Sequence, residues 1–145
     1  MNATKNKYWI IVATKDHVQN ALQQGIAQAC HGKTSPLRRM QKNDLVVFYS
    51  AKQTMGKPQV CQAFTAIGEV ADDDIYHVQL SDNFCPSRRA IDFLPAREVS
   101  ILPLIAELNF IKNKKSWGFP FRYGFFEIQK EDFNLIAETM LNDHE

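Results

Sequence analysis

Two nearly continuous apolar runs, residues 8–13 and 45–49, dominate the hydrophobic pattern of the chain. Both are short and rich in β-branched and aromatic side chains, which is typical of strands buried on both faces of a sheet. Polar turn residues at 42–44 stand directly before the second run and predict where that strand begins. We therefore expect these two segments to form interior strands of one sheet.

Helical spacing and helix-terminal residues predict three helices of different length. Asp16 as an N-cap and Gly25 as the stop predict a short amphipathic helix after the first strand. Ser35 followed by Pro36 predicts an N-cap and the first position of a single helical turn. The segment 131–141 has apolar residues on one face and two acidic residues in its first turn, so it predicts a longer helix.

The remaining apolar segments predict further strands, joined by turn-rich connections. The predicted strands cover residues 59–70, 75–80, 88–94, 97–101 and 125–128. Three aspartates at 72–74 predict the end of the first of these, and a hairpin is the simplest connection between the second and the third. Many strands with few short helices, including one at 103–108, predict an α+β fold, a mixed curved sheet or small barrel with helices packed around it.

Composition limits the class of protein. A chain of 145 residues and 16.6 kDa is expected to form one domain, 1–145, around a single core. Its net charge of +1 excludes a strongly basic nucleic-acid coat and a polybasic membrane binder, so any nucleic-acid contact must come from a local patch. Three cysteines and an N-terminus without an apolar core favour a cytoplasmic protein with reduced thiols.

Two irregular segments carry the residue types that bind ligands. The first is the polar loop Cys30-His31-Gly32-Lys33, in which the glycine permits close approach of the backbone to a ligand. The second, residues 112–124, places three lysines before four aromatic residues and an arginine, with glycine and proline between them. Aromatic rings interleaved with basic groups are what proteins use to stack a planar base and hold a phosphate.

The candidates divide into stacking residues and phosphate-binding residues, each with a plainer alternative. Trp117, Phe119 and Phe121 are the candidates for stacking. Those for phosphates are Lys33, Arg38, Arg39, Lys114, Lys115 and Arg122. The alternatives are that Phe121 belongs to the core, that Trp117 anchors its loop, and that the lysines are simply solvated.

Enzyme classes find little support in the motifs. The chain has no nucleophile elbow, no phosphate-binding glycine loop and no dinucleotide fingerprint, and we expect no catalytic residue and no cofactor. Its histidines and cysteines lack zinc-ligand spacing, so no metal is expected. Cys30 beside His31 leaves a thiol–imidazole pair open, although a buried, inert cysteine is the simpler interpretation. Two alternatives to nucleic-acid binding stay open: a small nucleoside- or nucleotide-processing enzyme that uses His31 and Lys33, and a protein-interaction module with exposed aromatic rings.

The order of these motifs resembles the EVE domain family over nearly the whole chain. The matching motifs are Tyr8-Trp9-Ile10-Ile11-Val12, Asp16-His17, Gly25-Ile26-Ala27-Gln28, His31-Gly32-Lys33, Pro36-Leu37-Arg38-Arg39-Met40, Asp44-Leu45-Val46-Val47-Phe48-Tyr49-Ser50, Trp117-Gly118 and Arg122-Tyr123-Gly124-Phe125-Phe126-Glu127-Ile128. EVE domains belong to the PUA-like superfamily with YTH, PUA and ASCH domains. The resemblance implies a mostly antiparallel pseudo-barrel and a pocket that receives one base, often modified, from DNA or RNA. It implies no catalysis.

The resemblance also implies roles for individual residues in a flat-walled slot of nucleobase size. Thr14, Lys15 and His17 correspond to the pocket floor, His31-Gly32-Lys33 to the loop over its mouth, Tyr49 and Ser50 to the adjacent strand end, and Trp117 to a wall. Phe119 and Arg122 complete the ligand-binding candidates on the basis of the residue pattern alone. In YTH domains a tryptophan stands in the loop after the first helix, whereas Cys30-His31 stands in that loop here. Because histidine stacks more weakly than tryptophan, the expected affinity is modest.

Overall fold

A computed structural model of the chain describes residues 6–141. The terminal residues 1–5 and 142–145 lie outside the described part. The expectation of no leader peptide rests mostly on residues 1–5, so it concerns residues outside the described part. The strands are β1 (Tyr8–Val12), β2 (Ile26–Ala27), β3 (Leu45–Lys52), β4 (Val60–His77), β5 (Ser87–Phe93), β6 (Val99–Ser100) and β7 (Phe125–Ile128). The α-helices are α1 (Lys15–Gln24), α2 (Thr34–Arg38) and α3 (Lys130–Leu141), and 3₁₀ turns cover Cys30–Gly32, Leu102–Glu107 and Phe119–Tyr123.

The strands form one mostly antiparallel sheet in the order β2-β5-β4-β3-β1-β7, with β6 paired to β4. Among the described strands, β1 and β3 form the one parallel pair, with Tyr8 opposite Leu45 and Val12 opposite Tyr49. The sheet order confirms that the two continuous apolar runs are interior strands, and the mixed α+β class is as predicted.

Side chains of β1 and β3 alternate between two cores, one on each face of the sheet. Ile10 and Val47 point to the face covered by α3 and the 3₁₀ turns, and Trp9 and Val46 point to the face covered by α1 and α2. This is why both runs are apolar at nearly every position: neither face of these strands reaches water.

Three predicted boundaries are wrong for identifiable reasons. Thr14, not Asp16, is the N-cap of α1, because the side chain of Asp16 accepts from the Thr14 hydroxyl within the first turn. The turn α2 begins at Thr34, earlier than Ser35. The aspartates at 72–74 do not end β4, which continues to His77 through a register shift between Val70 and Ile75, so the two predicted strands are one. A bulge lets three charged residues stay in a strand because the local kink turns them away from the core.

Two buried charged residues fix the connections around β3 and α2. The Asp44 carboxylate, 2% exposed, accepts from the backbone N–H of Lys7 (3.0 Å), from Trp9 Nε1 (2.9 Å) and from the backbone N–H of Gln41 (2.9 Å). Arg89 donates to the carbonyls of Leu37 (2.7 Å) and Met40 (2.8 Å), at the C-terminal end of α2. Both residues satisfy backbone groups that would otherwise be buried without a partner.

Among residues 6–141, no helix is long and apolar enough to cross a membrane.

Candidate functional site

The C-terminal ends of β1 and β3 meet the two irregular segments that the sequence singled out. Beyond β1, the Val12 N–H donates to the Gly124 carbonyl (2.9 Å), and the Ala13 N–H donates to the Tyr49 carbonyl (3.0 Å). The Cys30 thiol lies 3.9 Å from the carbonyl oxygen of Tyr123 and points at it as a weak donor. The structure thus brings together loops that are about 90 residues apart in the chain.

The loop after α1 is held in an unusual backbone conformation. Three consecutive residues, Cys30 (φ +49°), His31 (φ +63°) and Gly32 (φ +85°), have left-handed dihedral angles, and two of the three are not glycine. For residues with a Cβ this conformation costs about 1–2 kcal/mol each. Behind the loop, a Cβ at Gly32 would stand 2.5 Å from Pro86 Cβ and 3.3 Å from a ring carbon of Phe84, so only glycine fits. The imidazole of His31 is exposed at the outside of this turn.

Aromatic residues of the second segment divide into a buried and an exposed set. Phe121 stacks on Tyr49 with ring centroids 3.9 Å apart and planes 20° apart. Trp117 is half-buried and packs against the same core cluster. Phe119 and Tyr123 are 52% and 64% exposed, and the Arg122 guanidinium lies 5.5 Å from the centre of the Phe119 ring. The exposed rings are therefore those of Phe119 and Tyr123, whereas Trp117 packs partly into the core.

The predicted pocket floor is a set of local polar pairs at the start of α1. Thr14 Oγ1 donates to Asp16 Oδ1 (2.6 Å), and this bond, with the backbone N–H of His17, holds the pKa of the Asp16 carboxyl below its usual value. Lys15 Nζ lies 2.7 Å from Glu98 Oε1, and the bond to Glu98 raises the pKa of Lys15. His17 is exposed. Lys15 is thus already paired with a carboxylate, and His17 is the freest of the three side chains.

Two residues predicted to contact a ligand lie inside the core. Ser50 has no exposed surface, and its hydroxyl pairs with that of Thr65 at 2.9 Å. Tyr49 is 2% exposed, and burial raises the pKa of its phenol. The reason is the register of β3, which turns both side chains into packed layers above and below the sheet. In this conformation Tyr49 supports Phe121 from beneath and neither residue offers a surface to a ligand.

The predicted phosphate-binding cations differ in what they contact. Lys33, Arg38 and Lys115 are exposed. Lys114 Nζ donates to the carbonyls of Ile105 (3.0 Å) and Leu108 (2.9 Å), so it caps the 3₁₀ turn Leu102–Glu107. The Arg39 guanidinium lies 5.1 Å from the centre of the Trp9 ring, over a buried aromatic stack. Lys33, Arg38 and Lys115 therefore remain available to an anion, whereas Lys114 has a structural partner.

Of the four residues expected to border the slot, Thr14, His31, Ser50 and Trp117, Ser50 has no exposed surface and Trp117 packs against the core cluster that contains Tyr49 and Phe121. A polar surface depression of about 440 Å³ lies elsewhere, lined by Asn6, Gln41, Lys42, Asn43 and Asp73. None of the predicted site residues lines this depression. The described residues contain no group of three or more His, Cys, Asp or Glu side chains placed to hold a metal ion.

Sequence reasoning missed three residues that border the loop of His31. Phe84 and Pro86 were assigned to a turn, yet they form the wall against which Gly32 packs. Arg88 was placed only as the start of a strand, yet it is 8% exposed and bonds the segment leading into the loop. Of these three residues, only Arg88 could have been identified from the sequence, because two adjacent arginines inside an apolar strand are unusual.

Comparison with known proteins places the chain among one set of relatives. The family model of the EVE domain matches residues 7–139. A UPF0310 protein in gntR 5'region of Bacillus licheniformis is 46% identical over 128 residues, which are 88% of this chain and 87% of that protein. Among solved structures, the MmI1 YTH domain is 9% identical with a TM-score of 0.55, covering 91% of this chain and 92% of that one. A mutant of ZmASCH from Zymomonas mobilis is 8% identical with a TM-score of 0.56, covering 95% and 99%. The two structural likenesses concern the fold alone.

Proposed function

The chain belongs to the EVE domain family and has a PUA-like fold, and from this premise we propose that it binds nucleic acid through the loops around His31. We call the exposed side chains of His31, Phe119, Arg122 and Tyr123 the loop surface. This surface combines two rings, an imidazole and a guanidinium, which suits a base and its phosphate. The proposal is of binding without turnover.

The observation that carries the proposal is the run of left-handed residues at Cys30, His31 and Gly32. Backbone strain at residues other than glycine persists only where the surroundings enforce it, and it concentrates at ligand-binding sites. Here Pro86 on one side and the Tyr123 carbonyl on the other hold the loop in place. The result is an imidazole presented outward on a rigid turn rather than on a mobile loop.

The ligand that fits this surface is a single base taken out of its stack, and we propose a modified base. An extruded base must recover a few kcal/mol by stacking, at about 1–3 kcal/mol per base. Phe119 and Tyr123 supply exposed rings, whose centroids are 6.0 Å apart and whose planes are 89° apart. Because Tyr49 and Phe121 are buried and stacked on each other, the base is held by the exposed rings at the surface rather than in a deep cage, and the affinity is modest.

A binding experiment with oligonucleotides tests the proposal. Fluorescence anisotropy with short labelled DNA and RNA, methylated and unmodified, at low salt is expected to show binding well below millimolar, with preference for one modified strand. Phe119→Ala is expected to weaken binding about 5- to 100-fold through lost stacking. Leu94→Ala is the matched control, since Leu94 is also exposed but directly follows the C-terminal end of β5 and is not part of the loop surface.

Three results would contradict the proposal. Absence of binding to every oligonucleotide at low salt would remove the nucleic-acid ligand. Turnover of a nucleoside or nucleotide, lost in His31→Ala, would show instead an enzyme that uses the imidazole. Equal weakening by Phe119→Ala and Leu94→Ala would leave nucleic-acid binding but place it away from the loop surface.

A further inference from the structure

We propose that Arg88, which Gln24 and Gln28 hold in place, binds a phosphate group, and that in the complex this phosphate belongs to the nucleic-acid strand held at the loop surface. The second half of this proposal rests on the proposed function. The first half concerns Arg88 alone and is tested separately. The site lies outside the residues that the sequence marked for phosphate binding.

Arg88 is a nearly buried cation whose partners are neutral. It is 8% exposed; its Nε donates to Gln28 Oε1 at 2.6 Å and its Nη1 to Gln24 Oε1 at 2.9 Å. Within residues 6–141, no carboxylate oxygen lies within 4.0 Å of its guanidinium. A charge taken this far out of water without a counter-ion is costly, and an anion that approaches it recovers part of that cost.

One edge of the Arg88 guanidinium remains open to a ligand. Its Nη2 donates to no described residue, and it is not among the fully enclosed atoms that lack a partner, so it keeps some accessible surface. The two glutamine amides hold the other nitrogens and fix the plane of the group. A fixed guanidinium with a free edge suits a phosphate, because its N–H groups match the spacing of two phosphate oxygens.

The neighbouring arginine shows what a structural role looks like in the same strand. Arg89, 1% exposed, donates to three backbone carbonyls, those of Leu37, Met40 and Asp72. Its guanidinium also lies 3.9 Å from the Asp73 carboxylate. Arg89 therefore holds α2 and the β4 bulge together and has a counter-charge, whereas Arg88 points to the other face of β5 and has none in the described part of the chain.

The position of Arg88 connects it to the loop surface. Gln28, its partner, follows β2, and Ala29 directly after it accepts the N–H bonds of Gly32 and Lys33. The hydroxyl of Ser87, next to Arg88, is hydrogen-bonded to that of Thr34 at the start of α2. A phosphate bound at Arg88 thus lies next to the start of the loop that carries His31. A nucleic-acid strand whose nucleobase contacts His31 can therefore place one of its phosphates at Arg88.

The Nε–H NMR signal of Arg88 reports on the site directly. The full chain is titrated with inorganic phosphate at low salt, and the signal is assigned by its loss in Arg88→Gln. We expect a saturable shift of this signal, larger than the shift of the exposed Arg97, which has no place in the loop surface and whose Nε donates to the Thr139 carbonyl. A shift of Arg88 no larger than that of Arg97 would overturn the site.

Gln28→Glu tests the site without removing the arginine. The new carboxylate, in place of an oxygen 2.6 Å from Nε, supplies the missing counter-charge and competes with phosphate. We expect about a tenfold or greater loss of phosphate affinity with unchanged or higher thermal stability. Gln19→Glu, the same charge change at an exposed position of α1, is expected to stay within about twofold of the parent. Equal effects of the two variants would show only a general charge effect and would overturn the proposal.

Salt dependence separates a strand phosphate from a free one. For a single-stranded oligonucleotide, Arg88→Gln is expected to reduce the slope of log K against log salt by about 0.7, the value of one phosphate contact, with the preference for the base unchanged. An unchanged slope together with phosphate binding in the NMR titration would overturn the strand assignment. If no oligonucleotide binds at all, the proposed function fails, and the phosphate titration still decides whether Arg88 is an anion site.

Discussion

Replacing Gly32 by alanine tests whether the His31 loop is held by its neighbours. At φ +85° an alanine would be in the left-handed backbone region, which is unfavourable for a residue with a Cβ. Its Cβ would stand 2.5 Å from Pro86 Cβ and 3.0 Å from Pro86 Cα. Carbon atoms in contact normally lie about 3.5–4.0 Å apart, so the loop and Pro86 must separate by about 1 Å. Overpacking costs about 1–3 kcal/mol and the left-handed residue about 1–2 kcal/mol, which together predict a loss of about 3 kcal/mol.

Two other glycines supply matched controls for the two parts of this cost. Gly56 has φ +77° with nothing within 4 Å of an added Cβ, so Gly56→Ala measures the backbone term alone, about 1 kcal/mol. Gly118 has φ −76° and is equally open, so Gly118→Ala is expected to leave stability unchanged or raise it by about 0.5 kcal/mol. The order of stability is therefore predicted to be Gly118→Ala, then Gly56→Ala, then Gly32→Ala.

Urea denaturation at 25 °C, followed by tryptophan fluorescence, measures the three free energies of unfolding. For a chain of 145 residues a loss of about 3 kcal/mol lowers Tm by about 10 °C. Gly32→Ala should also weaken oligonucleotide binding more than the other two, since it displaces His31. If Gly32→Ala is no less stable than Gly56→Ala, then Pro86 yields freely and the loop is not rigid, which would refute the reasoning.

Three further predictions concern polar and thiol groups. Asp44→Ala leaves three N–H donors without their acceptor, including Trp9 Nε1, and is expected to lower the free energy of unfolding by about 3 kcal/mol or more in the same urea assay. The Asp16 carboxyl, whose pKa is lowered in the folded state, stabilises the fold above its unfolded value of 3.8, and this contribution is lost as the pH falls through the lower folded pKa. Thr14→Val is expected to raise the Asp16 pKa toward 3.8, measured by carboxyl ¹³C NMR titration, and an unchanged pKa would contradict the role of the hydroxyl. Burial raises the pKa of the Cys61 thiol, so mass spectrometry of iodoacetamide labelling at neutral pH should show Cys61 reacting more slowly than the exposed Cys85.

Local pattern was sufficient for the elements with strong periodicity or continuous apolar runs. Strands β1, β3 and β7 and helix α3 lie where the sequence predicted them, because each buries whole faces and is therefore apolar at most of its buried positions. The hairpin between the end of β4 and β5 was also correct, with Tyr76 opposite Arg88. Boundaries were less well determined, since capping at Thr14 and the bulge in β4 depend on contacts that local pattern does not encode.

For the candidate site too, local pattern predicted some features and contacts between distant segments decided the others. The sequence identified both irregular segments and the exposed side chains of His31, Phe119 and Arg122, since polar and aromatic residues around glycine and proline mark surface loops. It did not determine that Tyr49 and Ser50 face inward, because inward or outward direction follows from strand register and from what packs on each face.

The sequence by itself determined the class of fold, the family and the position of the two irregular segments in the chain. Only the tertiary structure decided which rings are exposed, that Gly32 packs on Pro86, and that Arg88 lies nearly buried between two glutamines. The physical reason is that periodicity records burial along one element. The neighbours of a side chain come instead from segments distant in the chain, and no local pattern specifies them.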